Sequence, residues 1–286
     1  MLLAALGAAM IGAGFLLGQT GGAVIGMMIG LVMVGGSYWF SDKLAIRAAK
    51  AQPVTESQAP ELYRIVRRLT ERAGMPMPSL YISPSDQPNA FATGRNPKHA
   101  AVCVTQGILP LLDEAELEGV LAHELSHVAN RDILIGSVAA ALAMGLTFVA
   151  RIAMWGSMFG GSRRNNGPLG LIGILAMAIL APIAAMLMQA ALSRSREFEA
   201  DHSGALLVGD GQPLARALAT LEAQAHTTNM DVDPAHAMAY IVNPLSGRKA
   251  DFASLFRSHP STADRIARLR SIDSEISSST SMTGAK

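Results

Sequence analysis

The sequence is poor in charged residues and contains a single cysteine. Asp, Glu, Lys and Arg make up 16% of its 286 residues, below the share of about 25% that is usual in proteins. The formal net charge of +1 gives no excess of positive charge, so we expect no nucleic-acid partner. Cys103 has no second cysteine with which to form an intramolecular disulfide. Its apolar neighbours predict a buried strand residue rather than a metal ligand or a nucleophile.

Long stretches without charge make up much of the apolar part of the chain. No Asp, Glu, Lys, Arg or His occurs between Met1 and Ser41, and two further apolar runs cover about residues 133–155 and 169–192. A helix needs about 20 apolar residues to cross the hydrocarbon core of a bilayer. We therefore predict a helical integral membrane protein, with the lipid bilayer as a partner. The second and third runs either cross as a further hairpin or lie in the membrane interface.

The first 41 residues are predicted to form a transmembrane hairpin. Residues 18–22 read Gly-Gln-Thr-Gly-Gly, a turn-like cluster between two apolar stretches. A cleaved signal peptide would carry basic residues before its apolar run, and the sequence has none there. Lys43, Arg47 and Lys50 follow the hairpin. By the positive-inside rule, these residues place the N-terminus and the chain from residue 43 onward in the cytoplasm.

The rest of the chain alternates helical patterns with short β-prone segments. The spacing of apolar residues predicts helices at about residues 57–73, 113–131, 213–225 and 261–270. Segments bounded by Pro, Gly and Asn predict strands at 79–82, 89–93 and 100–105. Residues 228–260 are expected to be rich in loops, and the Ser- and Thr-rich residues 274–286 to form a disordered tail. The expected fold class is therefore mainly α with a small β-sheet.

The pentapeptide His123-Glu124-Leu125-Ser126-His127 carries the clearest chemical signal. Two histidines four positions apart on a helix project from one face, where their imidazoles can share a metal ion. Glu124 is then placed to accept a proton from the attacking water. The pattern therefore predicts two metal ligands and a general base, which is most of a zinc hydrolase site.

A third protein ligand is expected, because catalytic zinc usually takes three and leaves one position open. The best candidate segment is 193–202, where Glu197 and Asp201 lie four residues apart and hence on one helical face. Glu197 would bind the metal, and Asp201 would hold the free ring nitrogen of a ligand histidine. Glu199 is offset by two residues and should face elsewhere. His202 is a weaker alternative ligand, because it lies off the Glu197 face.

Three motifs in the same order resemble the HtpX family of bacterial membrane zinc endopeptidases, which are related to the CAAX prenyl protease of eukaryotes. They are His-Glu-Leu-Ser-His-Val-Ala-Asn-Arg-Asp at 123–132, Ser-Arg-Ser-Arg-Glu-Phe-Glu-Ala-Asp at 193–201 and Ser-His-Pro-Ser-Thr-Ala-Asp-Arg-Ile at 258–266. The resemblance also covers residues 89–94 and 241–245. It implies a zincin-like metalloprotease domain over residues 42–273, interrupted by the two later apolar runs.

The resemblance also implies roles for individual residues. It implies one zinc ion per chain, held by His123, His127 and Glu197, with Glu124 as the general base. Three residues would orient the metal ligands without binding the metal themselves, namely Asp201, Asn130 and Arg265. Asn130 equally fits a helix-end role. His259 would stabilise the oxyanion. An extended substrate would add as a strand to the segment made of Asn89, Ala90, Phe91, Ala92 and Thr93.

The function implied by the resemblance is cleavage of misfolded or damaged membrane proteins, as part of quality control under stress. The enzyme would lie in the bacterial inner membrane, with several membrane passes and its active site facing the cytoplasm. A non-catalytic, zinc-stabilised scaffold that binds unfolded segments is the main alternative, but such a site has no use for Glu124. A transporter is disfavoured because polar residues placed in the middle of the apolar runs are lacking.

Overall fold

A computed structural model describes residues 2–132, 194–227 and 260–283. The chain divides into two compact units, one of residues 1–41 and 138–191 and one of residues 42–137 and 192–286. The apolar runs at 133–155 and 169–192 and most of the predicted loop-rich segment lie outside the described residues. All three motifs fall in the second unit. The first two residues of the third motif, Ser258 and His259, lie outside the described residues.

Helical backbone covers the N-terminal apolar segment as helix α1, Leu2–Ala48. The helix assignment continues through the predicted turn at residues 18–22, where Gln19 has a left-handed φ of 51°. The hairpin of residues 1–41 therefore stays a prediction. Within the described part of the chain, no helix meets the combined requirement of length and apolarity for crossing a membrane.

Helix α2, Pro60–Ala73, confirms the predicted amphipathic helix. Proline is tolerated at the first position of the helix, because the N–H group that proline lacks would have no partner within the helix. Gly74 ends the helix with a left-handed φ of 61°. The predicted apolar face is buried, namely Leu62, Ile65, Val66 and Leu69.

A four-stranded mixed sheet has the order β1-β2-β4-β3. Its strands are β1 Gln52–Pro53, β2 Ser79–Ser83, β3 Ala90–Gly94 and β4 Ala100–Thr105. Strand β4 is buried along its whole length and runs parallel to β2 and antiparallel to β3. Strand β3 is thus an edge strand among the described residues. The three predicted strands are confirmed, whereas the two-residue β1 is too short to leave a periodic signal.

Helix α3, Glu114–Ala129, carries the pentapeptide and is buried along most of its length. It begins with a capping box, in which Asp113 accepts a hydrogen bond from the Glu116 N–H and the Glu116 side chain accepts one from the Asp113 N–H. Helices α4 Arg194–Val208 and α5 Gln212–Thr227 pack against α3. Helix α6, Thr262–Thr283, packs in turn on α4 and α5. The helix that carries both histidines therefore lies at the centre of the unit.

The C-terminal segment corrects one prediction. The expected helix at 261–270 and disordered tail from residue 274 are replaced by a single helix, α6, that continues to Thr283. No proline or glycine interrupts residues 262–283, and Gly284 follows the helix end. Serine and threonine lower helix propensity only slightly, and burial of Leu269 and Ile272 anchors the first half of the helix. Composition alone therefore predicted disorder where the backbone is helical.

Candidate active site

Helices α3 and α4 bring three potential metal ligands together. His123 and His127 lie one turn apart on α3, and Glu197 lies near the start of α4. One ligand atom from each of the three residues falls within 4.8 Å of the others. The distances to the carboxylate are 3.7 Å from His123 Nε2 to Glu197 Oε2 and 3.5 Å from His127 Nε2 to Glu197 Oε1. The three residues predicted as ligands thus converge, whereas His202 is not part of this cluster.

The geometry of this cluster fits a tetrahedral metal ion. Zinc bonds of about 2.0–2.2 Å place neighbouring ligand atoms roughly 3.3 Å apart, somewhat less than the distances of 3.5 and 3.7 Å from the two histidines to the two oxygens of Glu197. Two imidazoles and one carboxylate form a donor set that suits zinc and leaves a fourth position for water or substrate.

Cys103 is buried in β4 and is separate from the cluster. Burial raises the pKa of its thiol to about 12. The predicted structural role of Cys103 is therefore confirmed.

His123 is oriented by Asp201, one helical turn beyond Glu197. Its Nδ1 lies 2.9 Å from Asp201 Oδ1, and both side chains are buried. With Nδ1–H donating to the carboxylate, the lone pair of Nε2 faces Glu197, which is the tautomer that a metal ligand needs. The sequence expectation that Asp201 would hold a ligand histidine therefore matches the geometry.

Arg265 binds the other side of the Asp201 carboxylate. Its Nε and Nη2 donate to Oδ2 and Oδ1 at 2.8 and 2.6 Å. Burial raises the pKa of Asp201, but the charge and hydrogen bonds of Arg265 outweigh it and lower the pKa to about 2. Nη2 also lies 3.4 Å from His123 Nδ1. Because both groups are donors when Nδ1 donates to Asp201, we interpret this contact as packing rather than as a hydrogen bond.

His127 is held by a residue that sequence reasoning missed. Its Nδ1 lies 3.2 Å from Asp132 Oδ2. Burial lowers the pKa of His127, but the hydrogen bond to Asp132 and the charge of Glu197 outweigh it and raise the pKa. Asn130, to which the resemblance gives a supporting role, instead lies exposed at the C-cap of α3, where its N–H donates to Ser126 O. Asn130 therefore occupies the helix end, and its supporting role stays a prediction.

Glu124 lies against the edge strand. Its Oε2 accepts a 2.9 Å hydrogen bond from the Ala92 N–H, and the side chain is buried. The bond fixes one carboxylate oxygen and leaves Oε1 available for proton transfer. Helical spacing could not have found this contact, because it joins two elements that are 32 residues apart in the chain.

Alternate residues of β3 turn their main chain in opposite directions. Asn89 faces β4, since its carbonyl accepts from the Thr105 N–H and its N–H donates to Thr105 Oγ1. The main-chain groups of Phe91 and Thr93 point to the same side as those of Asn89 and pair with β4. The main-chain groups of Ala90 and Ala92 therefore face away from β4, as the bond from Ala92 to Glu124 confirms. Of the two, Ala92 is half-buried, whereas Ala90 is 1% exposed. Ala92 is therefore the one of the five predicted substrate-binding residues whose main chain is open to a further strand.

Gly204 sets the distance between α3 and α4. It lies on the same face of α4 as Glu197 and Asp201, seven and three residues beyond them, respectively. A Cβ at this position would lie 3.0 Å from His123 N and 3.2 Å from His123 Cα. The absence of a side chain therefore lets both carboxylates reach the first histidine.

We expect Gly204→Ala to weaken metal binding by about tenfold, because the added methyl group moves α4 away from His123. Competition with a chelator would measure this affinity. Gly119→Ala is the matched control, since its Cβ would meet Leu214 N of α5 at 2.7 Å instead. That variant should lower the free energy of unfolding but retain the metal affinity of the wild type. Wild-type affinity in Gly204→Ala would contradict this account of the helix contact.

His259, the expected oxyanion residue, lies outside the described residues. The profile of Peptidase family M48 matches residues 56–273. A Protease HtpX homolog of Pelotomaculum thermopropionicum is 49% identical over 274 residues, which cover 95% of this chain and 97% of the relative. A Protease HtpX homolog of Syntrophobacter fumaroxidans is 50% identical over 276 residues, with the same coverage.

One solved structure shares the fold. The crystal structure of S. mikatae Ste24p matches with a TM-score of 0.51 and 20% sequence identity. The match covers 93% of the present chain but 62% of Ste24p, so the chain spans less than two thirds of that protein. At this level of identity the likeness concerns the fold alone.

Proposed function

Since this chain belongs to Peptidase family M48 and is a metalloprotease, we propose that it is a membrane-bound zinc endopeptidase that cleaves misfolded or damaged membrane proteins. The observation that carries the proposal is the convergence of His123, His127 and Glu197 beside the carboxylate of Glu124. A site that only stabilised the fold would gain nothing from a buried glutamate that faces an edge strand.

The proposed mechanism divides proton transfer and substrate binding between separate groups. Zinc bound by the three ligands would supply a Lewis acid that activates water and polarises the scissile carbonyl. Glu124 accepts the proton of the attacking water at Oε1 and later delivers it to the leaving amine. The Ala92 N–H holds Oε2 throughout, so the carboxylate keeps its orientation during both transfers.

Substrate binding is proposed to occur by strand addition at β3. Ala92 would pair with an extended substrate, because its main chain faces away from β4 beside Glu124 and is only half-buried. Ala90 lies on the same side of the strand but is buried. Ala92 would offer its carbonyl, since its N–H already donates to Glu124. His259 is proposed to stabilise the negatively charged oxygen that develops at the scissile carbonyl, as the family resemblance implies.

The proposed location is the bacterial inner membrane, with the active site on the cytoplasmic side. The uncharged first 41 residues and the apolar runs at about 133–155 and 169–192 support several membrane passes. The basic residues after residue 41 support the orientation. An active site held at the membrane would reach those segments of membrane proteins that have lost their folded structure.

Metal removal tests the proposal directly. Detergent-purified protein would be incubated with reduced, alkylated α-lactalbumin before chelation, after chelation and after zinc is restored. We expect cleavage to disappear with the metal and to return with it, because water activation depends on the ion. Native, disulfide-bonded α-lactalbumin is the control and should resist cleavage, since it offers no extended segment. Full cleavage by protein shown to be free of metal would contradict the proposal.

A further inference from the structure

We propose that Asp132 is a positioning residue of the metal centre, holding His127 as Asp201 holds His123. The proposal rests on the proposed function, because it concerns how the ligand histidines of that site are oriented. It assigns each histidine a chain of three residues, in which the ring donates to a carboxylate and an arginine lies behind that carboxylate.

The first chain is formed by His123, Asp201 and Arg265, joined by contacts of 2.9 Å and then 2.6 and 2.8 Å. The second chain repeats the order. His127 Nδ1 lies 3.2 Å from Asp132 Oδ2, and Arg196 Nε lies 3.9 Å from Asp132 Oδ1. In both chains the carboxylate contacts Nδ1 of the ring and leaves Nε2 for the metal. The repetition of this order at both histidines points to a shared purpose.

A local reversal of the backbone brings Asp132 back to the histidine. If α3 continued, Asp132 would lie five residues beyond His127, roughly 140° around the helix axis. Instead the helix ends at Ala129, and Arg131 adopts a left-handed φ of 63°. This conformation is uncommon for residues other than glycine and tends to mark functional positions. The reversal places the carboxylate on the ring nitrogen that faces away from Glu197.

The two chains differ in their exposure to solvent. The side chains of His123, Asp201 and Arg265 are at most 2% exposed, whereas Asp132 is 17% exposed and Arg196 is 24% exposed. Removing Asp132 therefore leaves no fully buried charge without a counterion. Variants at this position should fold, so that an effect on metal binding can be separated from an effect on stability.

The test compares zinc affinities of full-length, detergent-purified Asp132→Ala and Asp132→Asn with that of the wild type, by competition with a chelator. We expect Asp132→Ala to bind zinc roughly 10- to 100-fold more weakly. Asp132→Asn should recover most of the loss, because the amide oxygen still accepts a hydrogen bond from Nδ1–H. Asp210→Ala is the matched control. This aspartate is exposed and likewise accepts a hydrogen bond, from the Gln212 N–H, but it lies outside the site.

Wild-type zinc affinity in Asp132→Ala would overturn the proposal. Equal losses in Asp132→Ala and Asp132→Asn would also overturn it, since a purely structural defect does not depend on the hydrogen-bond acceptor. Zinc binding is measured without substrate, so the result is independent of whether the wild type cleaves. A wild type that binds zinc but cleaves nothing would count against the proposed function and leave the Asp132 comparison intact.

Discussion

Glu124→Gln is expected to retain the zinc content of the wild type and to lose cleavage by roughly 10²- to 10⁴-fold. Glutamine has nearly the same shape as glutamate, and its amide oxygen can still accept the hydrogen bond that the Ala92 N–H donates. It cannot accept a proton at neutral pH. The variant therefore removes proton transfer and leaves the placement of the side chain unchanged.

Two further glutamates make this experiment interpretable. Glu197→Ala should lose zinc and cleavage together, because it removes a ligand that lies within reach of both histidines. Glu199→Gln should retain both, since Glu199 is exposed on the opposite side of the same helical turn. Cleavage and zinc content would be measured on all three variants in parallel. Wild-type turnover in Glu124→Gln would remove the general-base mechanism.

Arg265→Met is expected to lower the free energy of unfolding by about 3–5 kcal/mol, because it removes one partner of a buried ion pair. Arg265 is 1% exposed and Asp201 is not exposed at all. The remaining carboxylate would keep His123 Nδ1 as a hydrogen-bond donor but lose both hydrogen bonds from the guanidinium. Chemical denaturation of the metal-free protein in detergent would measure the loss.

A double variant separates the loss of charge balance from the loss of packing. Asp201→Asn combined with Arg265→Met removes both charges, while the asparagine oxygen can still accept from His123. This protein should be more stable than Arg265→Met alone, since the Asp201 carboxylate is no longer left buried without its counterion. Arg64→Met is the control for an exposed pair, because Arg64 lies 2.9 Å from Glu114 on the surface. Its effect on the free energy of unfolding should stay within about 0.5 kcal/mol. An equally small effect of Arg265→Met would contradict the expected cost of leaving the Asp201 carboxylate without its counterion.

The metal cluster could be predicted from the sequence, because its residues are spaced at helical intervals within short segments. The spacing of His123 and His127 places both on one face of a helix, and the same spacing joins Glu197 to Asp201. The structure brings the two faces together. The three strands and helix α2 were likewise predicted from patterns within short windows.

Contacts between distant segments, and departures from regular backbone conformation, could not be predicted from the sequence. Asp132 falls at a spacing that no continuous helix would bring to His127, and only the reversal at Arg131 makes the contact possible. The hydrogen bond from Ala92 to Glu124 depends on how the sheet packs on α3. The extent of α6 was mispredicted because Ser and Thr favour helix ends without preventing a helix.

The short edge strand has a consequence for how substrates would be chosen. Strand β3 contributes five residues, so a matching stretch of substrate is only about 17 Å long when extended. In a stable globular protein such a stretch is already paired within its own helices and sheets. It becomes available only when that region opens, with a free energy that differs from one part of a protein to another. Under strand addition, the local opening equilibrium of a target would decide its rate of cleavage, so that a weakened protein would be cut in preference to an intact copy of the same sequence.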